Sequence, residues 1–148
     1  MDWSSEEKFF ENRIKREKLR LLEKRPHIVY YFHSLTDPYS HLTCQILENF
    51  VNKYDVELKI LFVSDPHNVF TPERKMFEDY RLNDALDIAK YHGLKFENTS
   101  QPKEKNIVIA YKILNFYFFK KEFTQIDFIK LLIKISSSLW LNETDTFN

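Results

Sequence analysis

The residues best suited to chemistry in this chain lie together in one four-residue segment, Asp37-Pro38-Tyr39-Ser40. Asp is a favoured N-cap residue and Pro a favoured first residue of a helix, so the segment predicts a helix start. A helix N-terminus at the end of a strand also attracts anionic groups, and the Ser40 hydroxyl can donate a hydrogen bond. The segment therefore predicts a structural cap, an anion or thiol site, or both, although a capping Asp37 already occupies the donors that an anion needs.

Two histidines flank this segment, and a cysteine follows it. His33 and His41 can carry protons near neutral pH, but the sequence identifies no partner acid or nucleophile for them. Cys44 is the only cysteine, which excludes an intrachain disulfide, a CxxC pair and a cysteine-based zinc site, and we expect it to be a small core residue. His67 and His92 lack the spacing of metal ligands, so no metal site is predicted.

The pattern around the segment predicts a strand, a helix and a second strand. Residues 28–32 are a continuous β-prone run, of the kind found in strands that are buried on both faces. Apolar residues then recur at spacings of three and four, which predicts one helix from Asp37 to about Tyr54. The pattern alternates over residues 56–63, which predicts the second strand. A strand, helix and strand in so short a stretch make the two strands parallel neighbours.

Helices are predicted for the rest of the chain. Ser5 to Lys24 combine many charges with a sparse apolar stripe, which suits a solvated surface helix that Pro26 ends. No later segment has a convincing strand pattern. Four helices are predicted there: one opened by Thr71 and Pro72, one capped by Asn83 and stopped at Gly93, one over Ile107 to Phe118, and one behind a variant capping box of Thr124 and Asp127.

Two stretches, Tyr30 to Leu42 and Asp84 to Phe96, carry a resemblance to a known superfamily. From His27 to about Phe96 the chain resembles the thioredoxin-like branch that includes DsbA-type oxidoreductases, 2-hydroxychromene-2-carboxylate isomerases and kappa-class glutathione transferases. The resemblance implies an active-site turn at a helix start and a helical insertion after the second strand. The family's later strands and cis-proline loop have no counterpart before Asn148.

The resulting fold prediction is α/β, a partial thioredoxin-like domain of the DsbA type. Residues 1–25 form an N-terminal helical extension, and residues 26–148 form the partial domain. Within that domain, we expect a βαβ unit over residues 26–64 and a helical subdomain over residues 65–148. Since half of the usual sheet is missing, the sequence predicts a homodimer or completion by a missing C-terminal partner segment.

The resemblance places the segment 37–40 where redox members have Cys-Pro-x-Cys and where the isomerases and transferases have a turn like Ser-Pro-Tyr-Ser. Without a thiol in the turn, dithiol–disulfide exchange is excluded. The resemblance implies catalytic roles for Asp37 and Ser40, and a glutathione or small-thiol site formed by Asp37, Pro38, Tyr39, Ser40 and His41. If the protein is active, it is a glutathione-dependent isomerase or transferase-like enzyme. The alternatives are a non-catalytic scaffold or interaction module, and a truncated fragment of such an enzyme.

Composition limits the partners. The 148 residues include 22 basic and 22 acidic side chains, so no global field favours nucleic acid or an anionic membrane. The N-terminus lacks the pattern of a signal peptide and no apolar run is long enough to span a bilayer, so we expect a soluble, cytoplasmic protein. The aromatic run 116–119 is expected to be divided between the core and an interface.

Overall fold

A computed structural model describes residues 5–64, 71–98, 100–120 and 122–141. In chain order, the elements are α1 (Glu6–Leu22), β1 (His27–His33), α2 (Pro38–Cys44), α3 (Leu47–Lys53), β2 (Val56–Phe62), α4 (Arg74–His92), α5 (Glu104–Phe118) and α6 (Gln125–Trp140). The described chain is thus a mixed α/β protein with six helices and one two-stranded sheet, and the predicted α/β class is confirmed. None of the helices in these ranges is long and apolar enough to cross a membrane.

The two strands pair in parallel, as the sequence predicts. The register runs from His27 opposite Val56 to His33 opposite Phe62. Burial differs from the prediction, because only one face of β1 is covered: His33 is fully buried, whereas Tyr30 and Phe32 on the other face are 61% and 58% exposed. The reason is that the described helices pack on one side of the sheet and leave its outer face open.

The connection between the strands is two short helices, not the single helix predicted from Asp37 to Tyr54. α2 ends at Cys44 and α3 begins at Leu47, with a turn closed by a hydrogen bond from Ile46 N to Thr43 O. The side chain of Gln45 accepts a hydrogen bond from Lys95 N at 2.9 Å and donates one to Lys95 O at 2.8 Å. This long-range contact holds the turn against the segment after α4.

One long helix, α4, replaces the two helices predicted around Asn83. Asn83 lies inside α4, where its amide donates to Asp79 O at 3.0 Å instead of capping a new helix. The helix begins at Arg74 rather than at Thr71 and Pro72. Its predicted end is confirmed, because Gly93 takes the left-handed conformation at φ 64° that closes a helix.

The core is organised around α6, which packs against α2, α3 and α5. Its N-terminus has the predicted capping box, in which Thr124 and Asp127 each bond to the other's backbone N–H. Ile129, Leu132 and Trp140 are completely buried. α1, by contrast, buries none of its residues, which confirms the predicted surface helix. At the end of α5, Tyr117 packs against the core while Phe116, Phe118 and Phe119 are exposed.

Candidate functional site

The candidate site is the turn that joins β1 to α2. Asp37 is the N-cap of α2 in an extended conformation, and Pro38 takes the first helical position, as predicted. The turn therefore lies at the carboxyl end of a parallel strand, the edge where α/β proteins bind ligands. A ligand bound there would need donors or acceptors that have no partner within the protein.

Both oxygens of the Asp37 carboxylate have partners within the protein. Oδ2 accepts hydrogen bonds from the Ser40 backbone N at 2.9 Å and from the Ser40 hydroxyl at 2.8 Å. Oδ1 accepts one from Arg81 Nη1 of α4 at 3.3 Å. Asp37 is thus a helix cap and half of an ion pair, and it is poorly placed to act as a base.

The Ser40 hydroxyl is engaged in both directions. It donates to Asp37 and accepts from the Ser34 backbone N at 3.3 Å. The Ser40 carbonyl accepts a hydrogen bond from the Tyr31 hydroxyl at 2.9 Å, and the residue is only 8% exposed. A hydroxyl that binds or attacks a ligand must have an unengaged proton or lone pair and must be accessible. The Ser40 hydroxyl is hydrogen-bonded in both directions and is buried.

Tyr39 is held by the same helix that supplies Arg81. Its hydroxyl donates to Asp84 Oδ2 of α4 at 2.6 Å. Partial burial, with the Asp84 carboxylate as the next cause, raises the pKa of Tyr39 well above its ordinary value. The phenol therefore stays protonated and serves as a link from α2 to α4.

Arg81 and Asp84 are the site residues that the sequence reasoning missed. Arg81 is 9% exposed, and its guanidinium lies over the ring of Phe77 at 4.7 Å from the centroid. Its Nε is buried without a hydrogen-bond partner among the described residues. The sequence does contain one indication of this role. Arg81 stands next to the apolar residues Leu82 and Ala85 on the buried side of α4, where a charged residue is unusual.

His33 is fully buried at the end of β1, directly before the turn. Its Nδ1 lies 2.8 Å from the Tyr31 hydroxyl, and its Nε2 has no partner in the part of the chain that the structure describes. Burial, together with the neighbouring His41, lowers the pKa of His33 to about 4. The ring is therefore neutral at pH 7 and out of contact with solvent.

His41, predicted as part of a binding site, has its ring in the core on the far side of α2. Nε2 lies 3.0 Å from Lys95 O, which can only accept, so we assign the ring proton to Nε2; Nδ1 then accepts from the Ser136 hydroxyl at 3.0 Å. The ring stacks on Trp140. Burial lowers the pKa of His41 to about 4. Both ring nitrogens are used, so His41 joins α2 to α6 and to the segment after α4.

Cys44 is a core residue, as predicted. It is completely buried, and its thiol donates to His41 O at 3.1 Å. Burial raises the pKa of Cys44 to about 12, so no reactive thiolate forms near neutral pH. Of the other two histidines considered, His92 lies at the exposed end of α4 and His67 falls outside the described residues. Across the described ranges, no three His, Cys, Asp or Glu side chains are grouped to hold a metal ion.

Comparisons of the chain with family models, with curated proteins and with solved structures give no match. A statement about function must therefore be argued from the residues and contacts of the turn. Those contacts join Asp37, Tyr39 and Ser40 of the predicted site to Arg81 and Asp84 of α4, and the ring of His41 lies elsewhere.

Proposed function

We propose that this chain is a thioredoxin-like module of the DsbA type in which the active-site turn has become a structural helix cap, and that it works as a non-catalytic interaction module. The order strand, turn, helix, parallel strand and then helices supports the family assignment, together with the stretches Tyr30 to Leu42 and Asp84 to Phe96. The turn sits where this fold places its thiols, but its polar groups have internal partners.

One observation carries the proposal: the Ser40 hydroxyl, which stands at the last position of the turn, donates to Asp37 at 2.8 Å and accepts from Ser34 N at 3.3 Å. A glutathione thiolate at this position could not accept a hydrogen bond from the Ser40 hydroxyl, because that proton is already donated to Asp37. The thiolate would also face the Asp37 carboxylate, which repels it. Breaking these buried hydrogen bonds costs about 1–3 kcal/mol for each group left unpaired. Ligand binding would have to offset that cost.

A second candidate function, binding of glutathione or a small thiol, is favoured by one feature of Arg81. This side chain is nine-tenths buried beside Asp37, and its Nε has no hydrogen-bond partner among the residues described. A guanidinium of this kind pairs well with a carboxylate, and glutathione has two. This candidate requires that the buried Nε of Arg81 become accessible to the ligand.

Thermal unfolding in the presence of millimolar glutathione separates the two candidates. A ligand that binds the native state raises the unfolding midpoint by mass action. If the turn is only a structural cap, glutathione should not raise the unfolding midpoint of the wild type or of Arg81→Met. Circular dichroism or differential scanning fluorimetry measures this midpoint. A rise in the wild type that is lost in Ser40→Ala and in Arg81→Met, but kept in the exposed control Thr43→Ala, would support the glutathione site instead.

A further inference from the structure

The outer edge of β1 is open in the described part of the chain. His27 N bonds to Asp55 O at 3.1 Å and Val63 N to His33 O at 2.9 Å, so the odd-numbered residues of β1 direct their peptide groups towards β2. Because peptide groups alternate in direction along a strand, the N–H and C=O groups of Ile28, Tyr30 and Phe32 point away from β2, to the open edge of the sheet. Within the described ranges, those groups make no hydrogen bond.

The β1 half of the outer sheet face is apolar and exposed, whereas the β2 half carries the charged residues Glu57 and Lys59 opposite Ile28 and Tyr30. Ile28, Tyr30 and Phe32 are 45%, 61% and 58% exposed, and Leu61 opposite Phe32 is 40% exposed. The far edge of β2 is different, because Leu58 N donates to the side chain of Gln125 on α6 at 2.8 Å. A two-stranded sheet is marginal in water, and an open, apolar edge strand pairs readily with another strand. β1 is therefore the edge that lacks a partner.

We infer that β1 pairs with β1 of a second copy of this chain, antiparallel about a two-fold axis at Tyr30, to give a continuous four-stranded sheet. Two identical strands that meet across a two-fold axis perpendicular to the sheet must run antiparallel. With Tyr30 opposite Tyr30 and Ile28 opposite Phe32, all three outward peptide groups of each copy find partners. A shift of two residues in either direction leaves some of them unpaired.

A second copy of β1 fits this edge because the pairing is self-complementary: every outward peptide group meets one of the other copy, and the apolar side chains of Ile28 and Phe32 become neighbours across the strands. α1 lies beside the start of β1 across a groove lined mostly by charged side chains, and only Phe9 and Ile28 are apolar there. In the register above, Phe32 of the second copy lies beside Ile28 at the border of this groove. The exposed side chains of Ile28, Tyr30, Phe32 and Leu61 supply about 400 Å² of apolar surface per copy, which together with the main-chain hydrogen bonds between the strands suits a concentration-dependent dimer rather than one with the ~800 Å² per partner of a stable interface.

The proposed pairing involves only the sheet, and it does not depend on whether the turn at Asp37 binds a ligand. Sedimentation velocity of the full chain at increasing concentration tests it. The wild type is expected to be a dimer, and Tyr30→Lys is expected to weaken the dimer by about tenfold or more, because it places like charges opposite each other at the axis. Tyr91→Lys replaces a tyrosine that is 86% exposed on α4 and should leave the dimer intact. A wild type that stays monomeric at all concentrations overturns the inference.

Oxidative cross-linking tests the register. Residues at Tyr30 lie about 5.5 Å apart between Cα atoms in the proposed pairing, within the range of a disulfide. Residues at Ile28 lie about 14 Å apart, because they are offset by four residues along neighbouring strands. Tyr30→Cys should therefore give disulfide-linked dimers, and Ile28→Cys alone should not, while Ile28→Cys mixed with Phe32→Cys should give mixed dimers. Cys44 is buried and can remain in place. Equal cross-linking by Tyr30→Cys and Ile28→Cys contradicts the register.

Discussion

At the scale of single residues, Asp37 connects three parts of the structure. Its carboxylate caps α2 through Ser40, pairs with Arg81 on α4, and lies directly after the turn that leaves β1. The side chain of Asp37 is 23% exposed and that of Arg81 is 11% exposed, so this pair is more sheltered than an ordinary surface ion pair. The contribution of the cap can be separated from that of the ion pair by two substitutions at one position.

Asp37→Asn keeps a side chain that caps helices well but removes the charge opposite Arg81, whereas Asp37→Ala removes both. We expect a loss in the free energy of unfolding of about 1 kcal/mol for Asp37→Asn and about 2–3 kcal/mol for Asp37→Ala. Urea unfolding followed by circular dichroism measures the difference. Equal stability of Asp37→Ala and the wild type would show that the turn is not held by this carboxylate.

Two buried histidines make stability depend on pH. The pKa of both His33 and His41 is lowered to about 4 in the folded chain, below the ordinary value near 6.5. Because the unfolded chain binds protons more readily, stability is highest above about pH 6.5 and falls as the pH drops towards 4. Each histidine should account for a loss of about 2 kcal/mol between pH 7 and pH 5.

Urea unfolding of the wild type and of His41→Gln at several pH values tests this expectation. His41→Gln should be less stable at pH 7, because it loses the stacking on Trp140, but its stability should fall less steeply with acid. His92→Gln, at an exposed position, is the matched control and should follow the wild type. A wild type whose stability is flat from pH 7 to pH 5 contradicts the burial of these rings.

At the scale of elements, local sequence was sufficient where local chemistry decides the structure. The helix start at Asp37, the stop at Gly93 and the capping box at Thr124 follow from residue types within a few positions of one another. The parallel pairing of β1 and β2 follows from the order strand, helix, strand along the chain. Asn83 is ambiguous by the same reasoning, since asparagine caps helices well and also occurs inside them.

The remaining features depend on contacts between distant segments. The break between α2 and α3 coincides with bonds from Gln45 to Lys95, which the spacing of apolar residues cannot reveal. The cap at Asp37 could be predicted because it is formed by neighbouring residues. The ion pair of Asp37 with Arg81 and the hydrogen bond from Tyr39 to Asp84 join distant segments, so they could not be predicted. These contacts decide whether the turn is open to a ligand, so the function was harder to predict than the fold class.

The element on which the described core depends most is α6. Leu132 is completely buried on the side of α6 that packs against its neighbours, so Leu132→Ala should lower the free energy of unfolding by about 2–5 kcal/mol. Lys130→Ala on the exposed side of the same helix is the control and should change it by less than about 1 kcal/mol. If the two variants were equally stable in chemical denaturation, the packing of α6 on α2 and α5 would be in doubt.

At the scale of the whole molecule, the chain combines a closed turn with open apolar surfaces. The polar groups of the Asp37 to Ser40 turn bond to one another and to α4. The outer face of β1 and the apolar side chains of α1 are exposed instead. This distribution is typical of a protein whose contacts with partners lie away from the Asp37 to Ser40 turn, which is why we propose an interaction module.

The central claim is that the turn is a structural element without a free site for a thiol. The most direct test is a titration of the isotope-labelled chain with glutathione, followed by the amide ¹H–¹⁵N signals of Ser34 and Ser40. Because both amides are already bonded within the turn, we predict that neither signal moves up to millimolar glutathione. A saturable shift of both signals would contradict the claim and place a thiol ligand at Ser40.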